Sequence, residues 1–108
     1  MITIELDKNE QGFMTAYKVS GHAEYNPDGM DIVCALVSVL TQVPIMGLEQ
    51  HLKLKPFCHV NEEDGILEVR LAEAPTALTQ AILATMECGV RNLAQEYQEY
   101  IRIQEHRR

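Results

Sequence analysis

A histidine and a cysteine flank a turn-rich stretch in GHAEYNPDGMDIVCALVS, residues 21–38. Brought within hydrogen-bond reach, the His22 imidazole can take the proton of the Cys34 thiol and later return one to a leaving amine. That is the chemistry of a thiol nucleophile. Asp31 suits the cap of the helix that follows, which places Cys34 three residues further on, in the first turn. Unpaired backbone N–H groups there carry about half a positive charge. They favour thiolate over thiol and can receive the oxyanion of an attacked carbonyl. Asp31 is also a candidate to orient His22 as a third member. Ser38 lies four residues after Cys34, on the same helix face. Its hydroxyl either bonds the Cys34 carbonyl, the common fate of a mid-helix serine, or lines a substrate groove.

The bridging segment, Ala23 to Met30, is long enough to let a strand end and a helix start lie side by side. Glu24, Tyr25, Asn26, Pro27, Asp28 and Gly29 give it turn chemistry and mobility, so it is expected to lie over the site and open for an extended peptide. A plainer reading competes. Cysteine often behaves as a small buried hydrophobe, and a histidine at a strand end is often only surface. Joint placement is what favours chemistry. FCHV (57–60) supplies a second Cys–His pair, but the tight paired spacing of structural zinc motifs is absent. Cys58 and His59, adjacent on a strand, point to opposite faces. No metal or other cofactor is expected. Cys88 reads as packing beside an apolar stripe.

The elements that must position these residues are legible from periodicity. Ile2, Ile4 and Leu6 alternate with polar residues as a first strand, and Lys8 to Gly12 is a turn. Phe13, Thr15, Tyr17 and Val19 share one face of a second strand, which Gly21 ends. From Asp31, apolar residues recur at helical spacing to near His51, with a bend or break at Pro44. A second hairpin runs from Phe57 to Leu71 around NEEDG (61–65). Pro75 opens a last helix whose buried stripe is Leu78, Ile82, Met86, Val90, Leu93, Tyr97 and Ile101. The EHRR tail reads as frayed. The fold class is α+β: β-β-α-β-β-α, a small antiparallel or mixed sheet with two main helices on one face. A sheet covered on one face leaves apolar surface open, which points to a homodimer.

The chain of 108 residues, 46% hydrophobic, suits a single domain over residues 1–108. No uninterrupted apolar run reaches the ~18 residues needed to cross a bilayer. The opening MITIELDKNE is not a signal peptide, so no membrane role is expected. Three cysteines at irregular spacing argue against a disulfide framework and for the reducing cytoplasm. A net charge of −7 excludes binding nucleic acid through a basic face and suits a basic partner.

SGHA (20–23) followed by DIVCALVS (31–38), with an opening MITI and a late EYQEYIRI (96–103), resembles the ribosomal-processing cysteine proteases of the Prp, or YsxB-like, family. The resemblance implies a cysteine endopeptidase with His22 and Cys34 as catalytic pair, Asp31 and Ser38 as supporting residues, and a mobile loop between them. It implies a homodimer that removes an N-terminal extension from large-subunit ribosomal protein number twenty-seven, cutting after two phenylalanines. Leu36 stands where the pattern has a smaller residue, which is expected to reshape the neighbouring pocket. Asn26 and Pro27 replace glycine and are expected to stiffen the loop. The competing class of function is a non-enzymatic acidic dimer that binds a ribosomal protein or assembly factor.

Overall fold

In the computed structural model, which describes residues 1–21 and 30–108 and side chains from residue 32 onward in the second stretch, the alternating N-terminus forms β1 (Ile2–Lys8) and β2 (Met14–Ser20). Their antiparallel register sets Ile4 opposite Val19 and Leu6 opposite Tyr17, on one face. The register shifts between Asp7 and Lys8, leaving Thr15 as an extra residue, so that Met14 meets Lys8. Met14 is therefore fully buried where strict alternation would place Phe13 and Thr15. β3 (Phe57–Asn61) and β4 (Ile66–Arg70) form the second hairpin, and β4 pairs antiparallel with β2.

The C-terminal segment is a fifth strand, β5 (Ile101–Arg107), parallel to β1, and the sheet is mixed with order β3-β4-β2-β1-β5. The frayed tail of the sequence reading is thus an ordered edge. Ile101 and Ile103 continue the alternation opposite Ile2 and Ile4. The charges that disguise the strand have partners. Glu105 lies 3.1 Å from Lys8 and 2.9 Å from Arg91, and Glu87 on the neighbouring helix joins both cations. Arg108 reaches Asp7 at 3.2 Å.

The two helices are α1 (Met30–Gln50) and α2 (Ala77–Glu96). Both contribute to one core, where Val33, Val37, Leu48, Leu83 and Val90 meet Ile2, Ile4, Leu6 and Tyr17. The opposite sheet face carries Glu5, Lys18, Glu68 and Arg70, with Phe57 exposed beside Arg70, and is mainly polar, so most of the open apolar surface lies elsewhere.

α1 runs through Pro44 as one continuous helix, so of the bend or split read from sequence the split does not occur. Pro44 removes one backbone bond. Burial of Val33, Val37 and Leu48, with Leu40 set against Gly89 of α2, outweighs that loss. Ile32–Gln50 is consequently long and apolar enough to cross a membrane by length and composition, although no strictly apolar run is. Thr41, buried within it, returns its hydroxyl proton to the Val37 carbonyl at 2.8 Å.

α2 starts at Ala77, two residues later than its proline suggested. Thr76 is the N-cap, and its hydroxyl accepts from the Thr79 N–H at 3.1 Å while Thr79 Oγ1 accepts from the Thr76 N–H at 2.9 Å. Pro75 stands just outside. The buried stripe becomes Thr79, Leu83, Met86, Val90 and Leu93, while Leu78 is 64% exposed.

Among the described residues, a hydrogen bond ties α1 to the sheet: the Tyr17 hydroxyl donates to the Thr41 carbonyl at 2.6 Å. Burial, and secondarily the charge of Cys58, pushes the phenol well above its usual range, so it remains a donor. Tyr17→Phe should cost about 1 kcal/mol, because the Thr41 carbonyl keeps its helical partner. A thermal melt should fall by roughly 4–8 °C; an unchanged midpoint would show that packing alone holds α1.

Candidate active site

α1 begins at Met30, so Asp31 is inside the first turn instead of capping it. An acidic residue is favoured at the cap and in the first turn alike, and sequence does not separate the two. Cys34 accordingly lies one full turn into the helix, beyond the first unpaired N–H groups. Its side chain is half-buried, neither walled into the core nor fully in water.

Cys34 lines an open groove of about 700 Å³ between α1 and the β3–β4 hairpin. Successive turns of α1 supply one wall: Cys34, Ser38, Gln42 and Ile45, with Met46 and Glu49 further along. Cys58, Val60 and Asn61 of β3 and Ile66 and Leu67 of β4 supply the other. Ile2, Val19 and Gly21 border it too. Among the described residues most of the lining is apolar, and the two charged ones, Glu49 and Glu62, are both acidic.

Gly21 connects the groove to the histidine by sequence. His22 and the segment Glu24, Tyr25, Asn26, Pro27, Asp28 and Gly29 lie outside the described residues, as does the Asp31 side chain. The residue just before His22 and the candidate nucleophile therefore border one groove.

Ser38 faces the groove, and its Oγ accepts a hydrogen bond from Gln42 Nε2 at 2.7 Å. Leu36, expected to shape the pocket, belongs to the outward side of α1 and is 38% exposed. Cys58 shares the groove, but partial burial, with the Glu49 charge second, pushes its thiol above the usual range. It stays protonated at neutral pH and is a poor nucleophile. His59 falls on the opposite sheet face, across from Glu68, so the two neighbours do not share a ligand site. Cys88, read as packing, is exposed. A second hollow of about 450 Å³ borders the polar sheet face, where Asp7 is held between Arg70 and Arg108. Its charges are paired internally, and Cys34 does not reach it.

The hairpin wall was not readable from sequence, because a strand pair 23–36 residues from the nucleophile shows no local periodicity linking it to α1. The Gln42 contact was readable in principle, from its spacing of four after Ser38.

A half-buried thiol bordering an open, largely apolar groove is the arrangement of a thiol hydrolase acting on a chain segment. The chain belongs to the family described as Cysteine protease Prp, whose sequence profile matches residues 1–102, and it is accordingly a cysteine protease. The Ribosomal processing cysteine protease Prp of Staphylococcus aureus is 28% identical over 103 residues, covering 95% of this chain and 97% of the relative. The crystal structure of the S. aureus protease in complex with a substrate peptide superposes with a TM-score of 0.90 at 27% identity, covering 97% of this chain and 99% of that one. The S. aureus protease with a covalently linked product peptide gives 0.87 at 28% identity over the same shares. SMU.848 from Streptococcus mutans shares the fold, with a TM-score of 0.90 at 24% identity over 100% of this chain and 96% of that one.

Proposed function

We propose that the chain is the endopeptidase that trims the N-terminal extension of large-subunit ribosomal protein number twenty-seven, cutting after a Phe-Phe pair, with Cys34 as nucleophile and His22 as general base. The observation that carries this reading is the half-buried Cys34 on an apolar groove open to an extended chain. The sulfur attacks the scissile carbonyl while His22 takes its proton, and a C–S bond forms. His22 then protonates the amine as the C–N bond breaks, leaving a thioester. Water, deprotonated by His22, attacks that thioester and restores the thiol. Val60, Ile66, Leu67 and Met46 offer the apolar surface on which aromatic side chains bind. Asp31 is assigned to support His22. The three free cysteines fit a cytoplasmic protein, and an acidic chain fits a basic ribosomal substrate.

The test is incubation with a peptide carrying Phe-Phe before a small residue, followed by mass spectrometry. Cleavage at that single bond is expected. An intact peptide in the presence of folded protein, or cutting elsewhere, would overturn the assignment.

The same reading makes the working form a homodimer. Ile32, Leu36, Val39, Val43 and Met46 recur at alternating steps of four and three along the outward side of α1, from 38% to 62% exposed. They span roughly 21 Å of helix and are interrupted by no charge, a continuous apolar stripe of the kind that marks an interaction surface. A second copy laid antiparallel on this stripe is self-complementary. Val39→Asp should convert the dimer to a folded monomer in sedimentation or light scattering. A wild-type chain that is monomeric at micromolar concentration would refute the pairing.

A further inference from the structure

We propose that Gln42 is a positioning residue: by donating its side-chain N–H to Ser38 Oγ, it turns the serine proton into the groove, to bond a main-chain carbonyl of the bound peptide. This rests on the peptidase reading above. Its physical basis is the polarity of one contact.

Ser38 and Gln42 stand four residues apart on α1, one and two turns beyond Cys34, and all three line the groove. Gln42 Nε2 lies 2.7 Å from Ser38 Oγ. An amide nitrogen has only hydrogens to offer, so the serine oxygen is the acceptor, and its own proton points elsewhere. Hydroxyls within these helices usually give that proton back to the carbonyl four residues earlier. Thr41 does so to Val37 at 2.8 Å, and Thr85 to Ala81 at 2.6 Å. Among the described residues, no carbonyl receives the proton of Ser38. Among the described surroundings, the direction left to it is the groove.

An extended peptide in that groove carries a carbonyl about every 3.3 Å and needs donors for them, while the apolar lining offers few. Ser38 sits one helical turn, ~5.4 Å, from the thiol. That spacing suits a carbonyl one or two residues from the scissile bond. A donor there fixes the register of the chain, which an apolar surface alone does not.

Reversing the polarity of the contact is the test. Gln42→Glu keeps shape but replaces the amide with a carboxylate, which accepts the Ser38 proton and withdraws it from the groove. With the Phe-Phe peptide, kcat/KM should fall about tenfold in Gln42→Glu and in Ser38→Ala, and the double variant should be no worse than Ser38→Ala. Peptide affinity, measured in a Cys34→Ala background where no cleavage occurs, should show the same pattern. There the Gln42→Glu loss should fade below about pH 4, as the carboxyl takes a proton, while the Ser38→Ala loss should not. Affinity unchanged by Gln42→Glu, losses that add in the double variant, or a loss indifferent to pH would overturn the proposal. An uncut peptide that still binds with this pattern would instead refute the peptidase reading alone.

Discussion

Cys34→Ser is expected to lower kcat/KM on the Phe-Phe peptide by at least ~10³-fold, and Cys34→Ala to leave only background hydrolysis, in proteins that melt close to wild type. The size follows from the role. In the role proposed above, the sulfur makes the bond that divides one difficult step into two, and losing a nucleophile removes nearly the whole effect of the unit to which it belongs. A hydroxyl is far less acidic than a thiol, so Ser at 34 presents little anion to the same histidine. Stability should change by less than about 1 kcal/mol, because the side chain borders an open groove and truncation seals no cavity. Cys88→Ala, exposed on α2, should be indistinguishable from wild type. Iodoacetamide should inactivate the enzyme in step with labelling of Cys34, and substrate peptide should slow both. Retained cleavage by Cys34→Ala would remove the nucleophile from this account.

What the sequence reveals and what it hides divide along physical lines. β1, β2 and the second hairpin are legible because period-2 alternation reports one buried face. β5 is hidden because Ile101, its first residue, falls at helical spacing after Tyr97, and Glu105, His106 and Arg107 read as a frayed tail. Their partners, such as Lys8 for Glu105 and Glu5 for His106, are about a hundred residues away. Pro44 misleads for a related reason: a local rule about backbone bonds is overridden by burial against α2. The site divides in the same way. Cys34 and Ser38 are set by spacing on one helix, and both do face the groove. Asp31 keeps its place in the first turn but not its capping position, since helix ends drift by a residue or two without changing their composition. Leu36 fails because the side of α1 that it faces depends on where the sheet and α2 lie. The groove's far wall, Val60 to Leu67, belongs to tertiary structure altogether.

Gly21→Ala is expected to be the most damaging substitution outside the proposed catalytic pair, for two reasons that separate experimentally. Gly21 has φ +92°, in the left-handed region that a side chain resists, and a Cβ there would run into the carbonyl oxygen of Met1. Backbone atoms of β1 would have to move. The combined cost is about 2–4 kcal/mol, a drop in melting temperature on the order of 10 °C or more. Gly12 supplies the control at the opposite end of the β1–β2 hairpin. Its φ is +87°, but its Cβ would meet only the Arg107 guanidinium, 3.3 Å away, at the end of a flexible side chain. Gly12→Ala therefore bears the conformational cost without the backbone collision, and should lose about 1 kcal/mol and no activity. Gly21→Ala also displaces the residue from which the chain proceeds to His22. Shifts of about 1 Å in a reacting geometry cost on the order of 10² in rate. At a temperature where the variant remains folded, kcat should thus fall ~10²-fold, beyond anything unfolding explains. If Gly21→Ala loses stability but keeps its kcat, the glycine serves the sheet only. If both variants lose the same stability, the Met1 carbonyl is not the obstacle.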